Sequence, residues 1–295
     1  MQRWIERWGG NRTVLALSAA RMADALGNGA MIILLPLYVE EVAAGAFSLS
    51  TPALVGILIA LFGFTGAVLQ PLMAAWADRT GRRKRFVQVG LMLMGTGVLA
   101  FVLASQFSHL FLIRIVQATG FAMTVPASLA IITVASDQET RGGSMGIFST
   151  FRIVGFAVGP LLGGFLQVHY GFDTAFLVGA AFVFLSVAIV QRWVEDDAPE
   201  KETTTAASPF IDVSLLTRPL VSISAALFMM ASAFSMMAPL ENAFNERLDQ
   251  TAIGFGIAFS ALMISRLFLQ TPVGRLADRI GRKPLVVGGM LLLVP

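Results

Sequence analysis

The sequence contains no cysteine, and its charged residues make up only 13% of the chain. Without thiols there is neither a disulfide framework nor a thiolate metal site, and nothing indicates a redox compartment. There is no Walker phosphate loop, which argues against direct drive by ATP, and none of the ten-residue alternation of a membrane barrel. The shortage of charge decides the class. A soluble domain is roughly half apolar and a quarter charged, whereas this chain is 56% hydrophobic. It belongs in a bilayer, and its fold class is all-α and polytopic.

The apolar runs are mostly about 18–27 residues long, close to the length that crosses a ~30 Å hydrocarbon core as helix. Spans are expected at residues 13–39, 53–76, 86–104, 109–134, 143–167, 173–193, 218–239 and 252–276, with a last one from 284. The net charge of +3 and pI near 9.8 do not imply nucleic acid, because the basic residues sit in short turns beside apolar runs. Of the 21 lysines and arginines, four lie deep inside spans, sixteen fall in turns or at span ends on one side and Arg247 alone on the other. Cytoplasmic loops carry the excess of Lys and Arg, so the amino terminus and the basic turns are expected in the cytoplasm of a cell whose plasma or inner membrane holds the chain. Residues 1–12, with Arg3, Trp4, Arg7 and Trp8, read as an interfacial anchor before a retained first span, not as a cleaved signal.

One unit occurs twice. ADRTGRRKR at 77–85 returns as ADRIGRK at 277–283, and the same offset of 200 aligns Leu69 with Leu269, Gln70 with Gln270, Val87 with Val287 and Leu91 with Leu291. Such symmetry is expected of a secondary transporter. Between the copies lies an acidic, Thr- and Ala-containing stretch at 194–217, read as a solvated cytoplasmic linker. The organisation expected is a six-helix bundle at 1–193, the linker, and a C-terminal bundle at 218–295 that is incomplete. Only 12 residues follow Lys283, about 18 Å of helix, too short to cross. About three helices are expected beyond the end of this sequence.

Four stretches resemble the major facilitator superfamily. The first is AAWADRTGRRK, Ala74 to Lys84, echoed by GRLADRIGRK, Gly274 to Lys283; Ala74 replaces the usual opening glycine. The second, RIVQATG from Arg114 through Gln117 to Gly120, is similar to the family's intramembrane arginine motif. The third, GFAVGPLLGG from Gly155 to Gly164, resembles the motif of its antiporter branches; Gly155, Gly159 and Gly163 share one helical face, Pro160 can bend the helix, and Gly164 closes the motif. The fourth, LGNGAMIILLP from Leu26 to Pro36, is similar to the opening helix of the drug:proton antiporters. The resemblance implies two bundles around a cavity that opens to each side in turn. It also implies cytoplasmic latches built from Asp78, Arg79, Gly81, Arg82 and Arg83 and from Asp278, Arg279, Gly281, Arg282 and Lys283. Asp78 would then join a charge network between helices and across the bundle interface.

Arg21, Asp24, Arg114, Arg152 and Arg266 lie inside spans. Each costs about 2.5–3.5 kcal/mol at a helix centre and so needs a partner or a wet cavity. Asp24 is read as the carrier of a coupling proton in competition with substrate, with Arg21, Asn28, Arg114 and Gln117 around it. The plainer alternative is that Asp24 and Arg21, three apart, neutralise each other. Arg152 and Arg266 can snorkel or cap neighbouring helices. Glu241 and Asn242 fit a solvated end of the seventh span or an outer gate. The Met pairs at 229–230 and 236–237, with Phe62, Phe64 and Phe121, either line an apolar pocket or face lipid and packing neighbours.

Two enzyme-like patterns dissolve in context. Gly142-Gly143-Ser144-Met145-Gly146 has the form of a hydrolase elbow, but the two histidines, His109 and His169, fall at the opposite ends of the spans. Gly95 to Ala100 imitates a dinucleotide fingerprint inside an apolar span. The function expected is proton-coupled export of small, amphipathic or drug-like molecules. Proton-coupled uptake of a metabolite is the first alternative, and a non-transporting scaffold or sensor the second. The partners are a small-molecule substrate, protons and the lipid bilayer, without nucleic acid. No enzyme activity, cofactor or metal is expected, and the chain is read as a monomer.

Overall fold

Within lipid a backbone has no water to bond, so an apolar run that crosses must satisfy its own N–H and C=O groups as helix. The computed structural model of the protein describes residues 11–42, 49–195 and 217–291. The amino-terminal anchor and nearly all of the linker therefore lie outside the described residues. The helices are α1 (Arg12–Val42), α2 (Thr51–Thr80), α3 (Arg83–Ala100) with a 3-10 turn at Phe101–Leu103, α4 (Phe107–Ala135), α5 (Arg141–Trp193), α6 (Arg218–Ser235), α7 (Glu241–Arg247), α8 (Ala252–Ile280) and α9 (Arg282–Leu291). Six of them are long and apolar enough to cross a membrane.

Two boundaries differ from expectation. The fifth and sixth spans share α5, and the expected connection shrinks to Gly171, whose φ of 81° breaks the helix in one residue. The chain doubles back there. Gly155, Gly159 and Gly163 meet Met22, Leu26 and Ala30 in rising order along α1, while the second arm sets Phe176 on Tyr38 and Gly179 on Gly27. The seventh span was expected to reach 239, but α6 ends at Ser235; turns and the short α7 follow, because Pro239 cannot donate to a continuing helix.

In both copies the repeated unit folds as helix, glycine turn and helix. α2 and α8 run 30 and 29 residues, and each ends on a glycine at positive φ, Gly81 at 62° and Gly281 at 91°. That sign is what L-residues avoid and glycine tolerates, so the chain can turn from helix to helix without a longer loop.

α1 is the central element. Its apolar window is 72% buried against 22% for α2, so α1 is surrounded by the other helices while α2 lies largely at the surface. α1 packs chiefly on both arms of α5, α4 packs on α2 and α3, and α5 packs on α8. Two apolar clusters bracket the length of α1. Val14, Ala16, Leu17 and Ala20 join the one beside the basic turns, and Ala30 to Val39 join the one at the far end. Residues 21–28 lie between the two clusters.

Candidate functional site

Positions 21, 24 and 28 recur at helical spacing, so the fold presents Arg21, Asp24 and Asn28 on one face of α1. Arg21 Nη1 donates to Asp24 Oδ2, and Asn28 Nδ2 donates to Asp24 Oδ1 at 2.6 Å. Both carboxylate oxygens are thus engaged, and Asp24 is 1% exposed. On α4, Arg114 Nη1 donates to Gln117 Oε1 at 3.1 Å, while Arg114 Nε and Gln117 Nε2 are buried without partners. Two phenyl rings join the arginines. Arg21 Cζ lies 5.7 Å from the centroid of Phe121, Phe121 lies 5.6 Å from Phe62, and Phe62 lies 5.7 Å from Arg114 Cζ. Both cations are within cation–π range of a ring.

These groups wall a cavity of about 330 Å³, bounded elsewhere by Arg152 and Phe156 of α5, Phe234 of α6, Met237 of the turn after α6 and Phe259 of α8. The volume falls in the range of small-molecule sites, and so does the lining, mostly apolar with a few convergent polar groups. Of the residues expected at the site, Arg21, Asp24, Asn28 and Arg114 face the cavity, and Gln117 backs Arg114. Arg152, given above only as a snorkelling or capping residue, also faces it. The available signal was Phe156, one turn further along the same face of α5. Met237, Phe62 and Phe121 line the cavity, but Phe64, Met229, Met230 and Met236 point outward.

The glycine motif sits behind α1. A Cβ on Gly155 would fall 2.5 Å from the Met22 carbonyl oxygen, and one on Gly159 would fall 2.6 Å from that of Leu26. Gly163 and Gly164 make slightly longer approaches, each 2.8 Å, to the Ala30 Cβ and to the carbonyl oxygen of Ala252 of α8. Pro160 is buried within α5.

At the far end, the first and second halves of the chain are joined. Asn242 Nδ2 donates to Glu40 Oε2 at 2.7 Å, and Phe244 meets Phe255 edge-on at 5.5 Å between centroids. The expectation of a solvated helix end at Glu241 is wrong: its side chain is fully buried, with neither carboxylate oxygen in good hydrogen-bond geometry. Burial pushes the Glu241 carboxyl up to about 9, opposed by Asn245 beside it. The cause is α7, which folds back against α1 and α8 where a longer α6 was expected.

At the basic end, Asp78 pairs with Arg83, Nη2 to Oδ1 at 2.9 Å and Nε to Oδ1 at 3.0 Å. The partner comes from the start of α3, so the pair links two adjacent helices; the resemblance implied a network both between helices and across the bundle interface. Five residues and the Gly81 reversal bring the two together. Arg79 and Arg82 are exposed beside the pair. In the second copy Arg279 and Lys283 are exposed, and the side chains of Asp278 and Arg282 lie outside the described parts. A second, wider cavity of about 700 Å³ opens between α5 and α8 near this end, lined by Ser149, Arg152, Arg266 and Gln270.

The chain is similar in sequence and fold to known proteins. A multi-drug resistance efflux pump, PmrA of Streptococcus pneumoniae serotype 4, is 26% identical over 268 residues, covering 86% of this chain and 64% of the relative. A multidrug resistance protein, MdtG of Klebsiella pneumoniae, is 27% identical over 282 residues, 88% of this chain and 65% of the relative. Among solved structures, a bacterial homologue of the human lysosomal transporter Spinster, inward-facing and unoccupied, superposes with a TM-score of 0.72 at 19% identity, over 92% of this chain and 63% of that one. The chain thus spans less than two thirds of the length of each of these proteins. The sequence profile described as Major Facilitator Superfamily matches residues 17–295, taking in α1, the arginine motif, the glycine stripe and both basic turns. With that match across nearly all of an α-helical integral membrane protein, the chain belongs to the Major Facilitator Superfamily.

Proposed function

We propose that this chain is the greater part of a proton-coupled carrier that exports small amphipathic molecules by alternating access. Residues 1–193 would form one bundle and 218–295 part of a second, joined at 194–217, with the amino terminus and basic turns in the cytoplasm. The observation that carries the reading is Asp24: a fully buried carboxylate, paired with Arg21 and hydrogen-bonded by Asn28, on the wall of a drug-sized cavity. A group in that position can exchange its ion pair for a proton as the cavity fills and empties. Arg114, with unfilled donors on the same cavity, senses the change of charge. Export is supported by the names of the two relatives, an efflux pump and a multidrug resistance protein. The Asp78–Arg83 turn serves as a cytoplasmic latch, and the Asn242–Glu40 contact seals the other side.

One observation favours a second reading, uptake of an acidic solute together with a proton. Arg21, Arg114 and Arg152 line the cavity together with a single carboxylate among the described residues. A proton on Asp24 and an anion in the cavity would then favour each other's binding. Both readings are tested by reconstituting the complete protein in proteoliposomes and imposing a pH gradient of either sense. Export by antiport predicts solute accumulation in the acidic compartment; co-transport predicts accumulation in the alkaline one. Solute movement that ignores the gradient would remove proton coupling from the account.

A further inference from the structure

The charge of the cavity wall is lopsided. Its described lining contains three arginines and one carboxylate, and that carboxylate is already engaged by Arg21. Arg114 and Arg152 have no ion-pair partner among the described residues. Arg114 is 9% exposed and its Nε has no acceptor at all. Buried cations need a counter-charge or a wet, polar surrounding, and here most of the remaining wall is phenylalanine, methionine, isoleucine and leucine. Arg152 borders both cavities, so that Arg266, Arg152 and Arg114 mark a cationic path from the basic end inward.

We infer that the solute this cavity takes is an amphipathic organic anion: an aromatic or aliphatic body lying among Phe62, Phe121, Phe156 and Phe259, with a carboxylate or similar head group held between Arg114 and Arg152. The guanidinium fork suits a two-oxygen head group, which two arginines without ion-pair partners among the described residues can grip together. Among the described lining a cationic solute would have only Asp24 to meet, and only by displacing Arg21 into a wall that already carries two cations. The inference rests on the reading that this cavity holds the transported solute, and it goes with the second of the two transport readings, because a proton on Asp24 and an anion in the cavity favour each other's binding.

The test uses three probes with one ring system and different heads: 1-naphthaleneacetate, neutral 1-naphthalenemethanol and 1-naphthylmethylammonium. Their binding to the complete protein in detergent micelles is measured by calorimetry near neutral pH. The acetate should bind on the order of tenfold more tightly than the alcohol, and the ammonium more weakly than either. Arg152→Gln should bring the acetate down to the alcohol's affinity, with a wild-type melting temperature and helical circular-dichroism spectrum showing that the variant is folded. Arg152→Lys should keep the preference for the anion, and Asp24→Asn should strengthen it. Tightest binding of the ammonium, equal binding of all three, or an undiminished acetate preference in Arg152→Gln would each overturn the inference while leaving the cavity as a solute site. Failure of all three probes to bind would overturn the solute-site reading along with it.

Discussion

Gly159 of α5 lies so close to α1 that a Cβ added to it would sit 2.6 Å from the carbonyl oxygen of Leu26. Real side-chain carbons do not approach a backbone oxygen that closely, so the two helices can meet here only because one has no side chain. The contact holds the far face of α1 while its near face carries Asp24. Gly159→Val is expected to force the helices apart at a cost of about 1–3 kcal/mol, the usual penalty for overpacking. Gly146, on the same helix with open space around its Cα, should accept alanine with little change. Thermal unfolding of the two variants in detergent checks the contrast, and equal melting temperatures would contradict it.

The Asp78–Arg83 pair is of a different kind. The Asp78 side chain is 55% exposed, and exposed ion pairs contribute only about 0–1 kcal/mol. Arg83→Ala should therefore leave the melting temperature nearly unchanged. If the turn is a latch, the same variant should alter the rate of solute exchange, because a small bias between two conformations changes their populations without unfolding either. Unchanged exchange in Arg83→Ala would remove the latch role.

Glu241 gives a pH prediction with a definite sign. Its folded-state value of about 9 lies above the ordinary 4.5, because burial penalises the charged carboxylate. Between those values the folded protein holds a proton that the unfolded chain has lost, so stability falls as pH rises through that window. The wild-type protein should melt at a lower temperature at about pH 9 than at about pH 6, and Glu241→Gln should reduce that difference. Hydrogen exchange in the segment from Glu241 to Arg247 should accelerate over the same range. An identical pH dependence in wild type and Glu241→Gln would show that this carboxyl is not the group responsible.

Much of this was legible in the sequence because it rests on local spacing. The Arg21, Asp24 and Asn28 face of α1, the glycine stripe of α5 and the turn glycines Gly81 and Gly281 all follow from helical periodicity or from a backbone angle that glycine alone adopts readily. What escaped notice depends on distant segments meeting. Phe234 and Phe259 reach the cavity only because α6 and α8 fold against the first half of the chain. Phe62 and Phe64 were grouped together, yet residues two apart on a helix face different ways, and Phe64 is 72% exposed. Glu241 looked like a solvated end because the length of α6 could not be read from hydropathy. Arg152 had no sequence neighbour of opposite charge to suggest a role, and its place on the wall depends on how α5 stands against α1 and α4.

The central claim is that Asp24 carries the proton that couples to solute movement. It is tested most directly in proteoliposomes of the complete protein, with a solute gradient as the sole driving force and a trapped pH indicator reporting proton flow. The wild-type protein should move protons when the solute gradient is applied. Asp24→Asn should still exchange labelled for unlabelled solute but move no protons. Solute-driven proton flow that persists in Asp24→Asn would contradict the account.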